Sequence, residues 1–289
     1  MNYPLTTLFI ASALWTAAAS ASPFTFSTGD PNGLIATGSR PSSAGKIEIE
    51  SADDFILTQQ TQINHATFTG LLTGGASLAD IGNIVVEIYR VFPEDSNVGR
   101  TSGAPTFSTV NVPTRVNSPS DVAFDSRDAA ASTLSFSTNV LSNSFTAGNS
   151  VLNGINPKPS QTTGGDGAVT GQEVKFDVSF TTPFSLPADH YFFIPQVELN
   201  TGNFLWLSAP KPITGGTGPF PSDLQSWIRN DNLSPDWLRV GTDIIGGTTF
   251  NAAFSLDGQT NSVPEPGTII LFGSGLAALF ARHRNRTSS

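Results

Sequence analysis

Three histidines, no cysteine and a scatter of carboxylate pairs are what this 289-residue chain offers for chemistry. His65 sits inside an alternating apolar pattern, His190 adjoins Asp189 at a turn, and His283 belongs to a basic tail. No two histidines stand at the spacing of zinc ligands on a helix or hairpin, and no Gly-x-Ser-x-Gly elbow presents a nucleophile. The missing cysteines exclude disulfide staples, thiol catalysis and Cys-ligated zinc or iron–sulfur centres. The carboxylates are more numerous: Asp53-Asp54, Glu94-Asp95, and the set Asp121, Asp125 and Asp128. Two carboxyl groups about 5 to 9 Å apart across a sugar would make a glycosidase, and the 121 to 128 stretch could gather oxygens for calcium. That stretch lacks the glycine and terminal glutamate of a twelve-residue calcium loop. Trp227 and Trp237, which flank the polar Asn230-Asp231-Asn232, are candidates for stacking on sugar rings, with packing beneath a loop as the alternative. Trp206, within Phe204-Leu205-Trp206-Leu207, reads as core. These patterns assign no residue to catalysis, to a metal or to a cofactor.

The elements that must position these groups read as strands. Ser51 to Leu57, Ile63 to Leu72, Ile84 to Phe92, Thr133 to Leu141, Glu173 to Phe184, Tyr191 to Leu199, Asn203 to Ser208 and Thr248 to Leu256 all show the signs of β-structure. The clearest places Val174, Phe176, Val178 and Phe180 on one face and Lys175, Asp177 and Ser179 on the other, as in a half-buried antiparallel strand. Pro195 predicts an edge strand or a bulge, since proline cannot donate to a ladder. Ser150 to Gly171 and Pro210 to Pro221 read as loops, and a short helix is predicted near Ser222, with Asp223, Leu224, Trp227 and Ile228 on a shared face. With 21 Phe to fill a core and 27 Gly and 20 Pro to turn the chain, the expected fold is all-β. The expectation is one antiparallel β-sandwich, jelly-roll-like, over residues 22–262.

Both ends read as targeting segments. Residues 1–21 form a signal peptide: Leu8 to Trp15 is an apolar helical core, and Ala19-Ser20-Ala21 supplies the small residues a signal peptidase accepts, leaving Ser22 first in the mature chain. At the other end, Val263-Pro264-Glu265-Pro266 stops regular structure, an apolar stretch runs to Ala281, and Arg282, Arg284 and Arg286 form a cytoplasmic stop. From Thr268 to Ala281 a transmembrane helix would span roughly 21 Å, short of the roughly 30 Å hydrocarbon core. Such a helix is a poor permanent anchor, suited to transient residence in a membrane.

This tripartite end resembles the PEP-CTERM sorting signal of exported bacterial proteins, carried here by Pro264-Glu265-Pro266, the apolar stretch and the arginine cluster of residues 263–286. The resemblance implies an exosortase-type processing enzyme as partner, in the inner membrane of a Gram-negative bacterium that makes extracellular polysaccharide. Val263, Pro264, Glu265 and Pro266 would be its recognition residues, and the destination would be the cell surface or the medium.

The formal net charge of -9 would repel nucleic acid, whose binding rests on Lys and Arg neutralising phosphates. Three classes of function remain for the middle of the chain. The leading one is a non-enzymatic surface or matrix protein, with extracellular polysaccharide as a candidate partner. The alternatives are a carbohydrate-active enzyme, resembling glycoside hydrolases, and a calcium-dependent adhesive module.

Overall fold

Alternation of apolar and polar residues makes strands whose two faces differ, and two such sheets can bury their apolar faces only against each other. The computed structural model describes residues 21–43, 45–92, 112–156, 162–213, 218–219 and 223–261. The first sheet contains β1 (Ser22–Ser27), β2 (Ile35–Gly38), β4 (Thr61–Thr73), β7 (Leu134–Ala147), β8 (Asn149–Val151), β9 (Val169–Leu186), β11 (Asn203–Ala209), β14 (Asn251–Ala252) and β15 (Phe254–Thr260). The second contains β3 (Ile49–Leu57), β5 (Ile81–Arg90), β6 (Asp125–Asp128), β10 (Asp189–Leu199), β12 (Trp227–Asn230) and β13 (Leu238–Arg239). Every pairing is antiparallel except β2 with β8.

In the first sheet β4 is the hub: β9 runs along one side with β7 beyond it, while β15 and β11 share the other side. In the second sheet the order is β13-β12-β3-β10-β5-β6. Residues Ser22–Thr260 close into one compact unit, with β1 and β15 paired from Ser22↔Thr260 to Ser27↔Ser255.

The alternation on β9 holds: Val174, Phe176, Val178 and Phe180 are buried, and Lys175, Asp177 and Ser179 are exposed. Phe176 stacks on Phe68 at 4.7 Å, and Phe193 from the second sheet stacks on Phe254 at 5.1 Å. Each fully buried phenylalanine contributes about 1.5–3 kcal/mol. Trp206 completes this layer and donates its indole N–H to Ala253 O at 2.9 Å.

Two expectations are corrected. Pro195 is not on an edge strand, because β10 lies between β3 and β5. Pairing with β3 runs only as far as Phe193, so the missing proline N–H leaves no gap in that ladder, and Ser39 donates its hydroxyl to Pro195 O instead. The helix predicted near Ser222 is also absent among the described residues: Trp227–Asn230 is β12, held extended by pairing with β3 and β13. The signal helix and the transmembrane helix fall outside the described residues, and among those described no helix is long and apolar enough to cross a membrane.

The β10–β11 turn is fixed by Gly202, with φ at +67°, where a Cβ would lie 2.0 Å from Thr73 O. Lys46 clamps the same turn by donating to Leu199 O and Gly202 O. Gly202→Ala is expected to cost more than about 1 kcal/mol, since the positive φ alone is worth that and the backbone clash adds to it. A lowered urea midpoint with an unchanged m-value is the expected result; an unchanged midpoint would contradict it.

Candidate functional site

The outer face of the second sheet brings together acids that lie far apart in sequence. Residues two apart on a strand share a face, so Glu87 and Tyr89 on β5 point the same way, and Glu50 on β3 meets its cross-strand partner Arg229 on β12. Glu48, just before β3, joins them and accepts a hydrogen bond from Gln196 Nε2 at 2.9 Å. Ligand oxygens of Glu48, Glu50 and Glu87 all lie within 4.8 Å of one another.

Glu50 is 2 % exposed and both its oxygens are taken. Arg229 Nε donates to Oε2, and the Tyr89 hydroxyl, itself receiving Arg229 Nη2 at 2.7 Å, donates to Oε1 at 2.9 Å. The Arg229 guanidinium lies 4.3 Å from the centre of the Trp237 ring. Burial alone would lower the Arg229 pKa, but Glu50, with Tyr89 and Glu87 adding to it, outweighs that and the net direction is upward. Glu87 has no such cation of its own. Burial first, and then repulsion from Glu50, push its pKa up to about 8. Burial and Glu50 likewise raise Glu48.

The arrangement is therefore a fixed carboxylate beside two partly buried ones that hold protons more tightly than usual. Among the described residues these three are the set that could hold a hard cation such as calcium. Glu50 itself is not available to attack a sugar, because its oxygens are buried and occupied by donors.

The residues singled out in the sequence fall elsewhere. The sugar platform expected from Trp227 and Trp237 is not formed: they are 1 % and 0 % exposed and pack with Ala52, Tyr89, Phe192 and Ile194. Trp227 borders a recess of about 300 Å³ with Asn117, Gln225 and Arg239, but its ring has no open face on which a sugar could stack. Asp121, Asp125 and Asp128 do not converge. Asp121 pairs with the fully buried Arg115, Asp125 with Arg127, and Asp128 accepts from Asn83 and the Ala130 N–H.

Asp53 and Asp54, adjacent on a strand, serve opposite faces. Asp53 is fully buried, accepts from Ala252 N and Ser226 Oγ, and has its pKa raised by burial and by Asp54. Asp54, whose pKa burial also raises, takes His190 Nε2 at 2.6 Å, while Asp189, the sequence neighbour of His190, pairs with Arg90. His65 bridges Asp177 and Asp257 across neighbouring strands. Glu94, Asp95, Ala19, Val263, Pro264, Glu265, Pro266, Arg282, Arg284 and Arg286 lie outside the described residues; Ala21 is described and exposed. The Glu50–Arg229 pair was not foreseen, since nothing local marks partners 179 residues apart.

The family model for the PEP-CTERM protein-sorting motif matches residues 262–285. The chain thus carries that motif near its C-terminus, which supports export and exosortase-dependent sorting. No curated protein and no solved structure matches this chain.

Glu87 gives stability a pH dependence of definite sign. Its folded pKa of about 8 exceeds the ordinary 4.5, so the folded state binds the extra proton; its contribution is complete below 4.5 and is lost as pH rises through 8. Urea midpoints measured from pH 5 to 9 should fall with pH in the wild type and fall less in Glu87→Gln, a difference on the order of a few kcal/mol. Parallel pH profiles for the two proteins would contradict this.

Proposed function

We propose that this chain is an exported cell-surface or extracellular-matrix protein of non-enzymatic, structural or interaction type, delivered by an exosortase-type enzyme. The observation that carries the reading is the sorting motif at residues 262–285. In this reading residues 1–21 are removed by signal peptidase, residues 22–262 are the cargo, and residues 263–286 hold the cargo briefly in the inner membrane. Val263, Pro264, Glu265 and Pro266 are what the processing enzyme recognises, and Arg282, Arg284 and Arg286 keep the tail cytoplasmic.

The cargo is taken as a jelly-roll-like sandwich, a course supported by the way β3 to β4 and β4 to β5 cross between the sheets. Its non-enzymatic character is supported by the use made of Glu50, whose two oxygens are saturated by Arg229 and Tyr89. Association with extracellular polysaccharide is assigned to the outer polar surfaces, since Trp227 and Trp237 are buried.

Alanine at Pro264, Glu265 and Pro266 together tests the reading in a bacterium that carries the processing enzyme. Wild-type protein is expected in the surface and medium fractions, with the triple variant retained in the membrane fraction. Equal surface delivery of both would overturn the proposal.

A further inference from the structure

Among the described residues the two sheets leave several strand edges open, and they differ in how they are protected. An edge presents unpaired N–H and C=O groups, and proteins guard against unwanted pairing with short strands, charges, prolines or bulges. Among the described residues, β8 and β13 are three and two residues long. The four residues of β6 include Asp125, Arg127 and Asp128, and the six of β1 include Pro23. β7 is different. It runs for 14 residues, pairs only with β9 among the described residues, and contains no charged residue and no proline.

The β7 register against β9 is regular from Leu134 to Val140 and then shifts twice, between Val140 and Ser142 and between Ser142 and Phe145. The flat, pairable portion is therefore Leu134–Val140, with the irregular stretch as its boundary. Leu134, Phe136, Thr138 and Val140 oppose the core-facing Phe180, Val178, Phe176 and Val174. Phe136 is nevertheless 37 % exposed, because it lies at the rim of the sandwich. Ser135, Ser137 and Asn139 point to the opposite, solvent face and are exposed.

We propose that Leu134–Val140 pairs antiparallel with the same segment of a second copy of this chain, about a two-fold axis through Ser137 and perpendicular to the sheet. The segment is complementary to itself in that register. Leu134 meets Val140 of the other copy, Phe136 meets Thr138, and Ser135 meets Asn139, so apolar or methyl-bearing groups face one another and polar groups face polar ones. The axis keeps both core faces on the same side, which covers the exposed Phe136.

The self-complementary register selects the occupant, and the missing charge on β7 permits its approach. In a chain of net charge -9, copies repel one another over most of their surface, and this uncharged edge is where two can approach with no like charges opposed. Seven residues a side make a contact small beside the roughly 1,600 Å² of a standard interface, so the association is weak in dilute solution and is best caught covalently.

The cysteine-free sequence supplies the test, since any disulfide in a single-cysteine variant must join two copies. Directly opposed residues of an antiparallel pair have Cα atoms about 4.5–5.5 Å apart, within disulfide reach. In the proposed register Ser137 opposes itself. Ser135 stands four positions from its own counterpart, on the order of 13 Å away, and is out of reach.

Purified full-length Ser137→Cys, oxidised with diamide, is expected to give a covalent dimer as the major species on a non-reducing gel. Ser135→Cys, on the same strand and equally exposed, should stay at background, and the double variant Ser135→Cys with Asn139→Cys should recover the dimer. Failure of Ser137→Cys to cross-link, or equal cross-linking by Ser135→Cys, would overturn the proposal.

Discussion

An all-β chain without a single cysteine has to hold its two sheets together by the apolar layer between them. Here that layer is built on phenylalanine: Phe68, Phe176, Phe204 and Phe254 from the first sheet interlock with Phe55 and Phe193 from the second. At about 1.5–3 kcal/mol for each buried ring, this contact is large beside the 5–15 kcal/mol net stability of a domain. The hub position of β4 follows from it, since that strand must align β9, β15 and β11 so that their rings meet in one plane of contact.

Once the inner faces are packed, the outer face of the second sheet is left to be covered, and ionic groups do that work. Arg115, 0 % exposed, lies over Phe92 and pairs with Asp121 and Asp236, tying together two irregular segments that lie over Trp227 and Trp237. Arg229 repeats the arrangement with Glu50, Tyr89 and Trp237. Buried ion pairs of this kind confer little net stability compared with apolar substitutes, but losing one partner leaves a charge stranded. Their role here fits fixing where the covering segments sit. Only 13 per cent of the residues are charged, so each buried pair also withdraws charge from the surface, and the uncharged edge of β7 fits that economy.

What was legible in the sequence was whatever depends on neighbours along the chain. The alternation of Val174 to Phe180 gave β9, and the linear proline motif with its flanking apolar and basic residues gave the sorting signal. What was not legible depends on partners distant in sequence. Asp223, Leu224, Trp227 and Ile228 have helical spacing, yet pairing of Trp227 with Ala52 and of Ile228 with Ser51 draws the segment into a strand. Trp227 and Trp237 looked like surface residues because polar residues surround them in sequence, while in the structure they pack with Ala52, Tyr89, Phe192 and Ile194 from strands distant in sequence. The Glu48–Glu50–Glu87 cluster had no local signature, because β3 and β5 meet only through β10.

Ser22–Thr260 form one compact unit and residues 262–285 match the sorting motif; the proposed function makes the first the cargo and the second its address. The most direct measurement of that division is the intact mass, with mapping of both terminal peptides, of wild-type protein recovered from the surface or medium of its host. The account predicts a chain that begins at Ser22 and lacks the apolar and basic residues beyond the proline motif. Recovery of surface protein that still carries Arg282, Arg284 and Arg286 would contradict it.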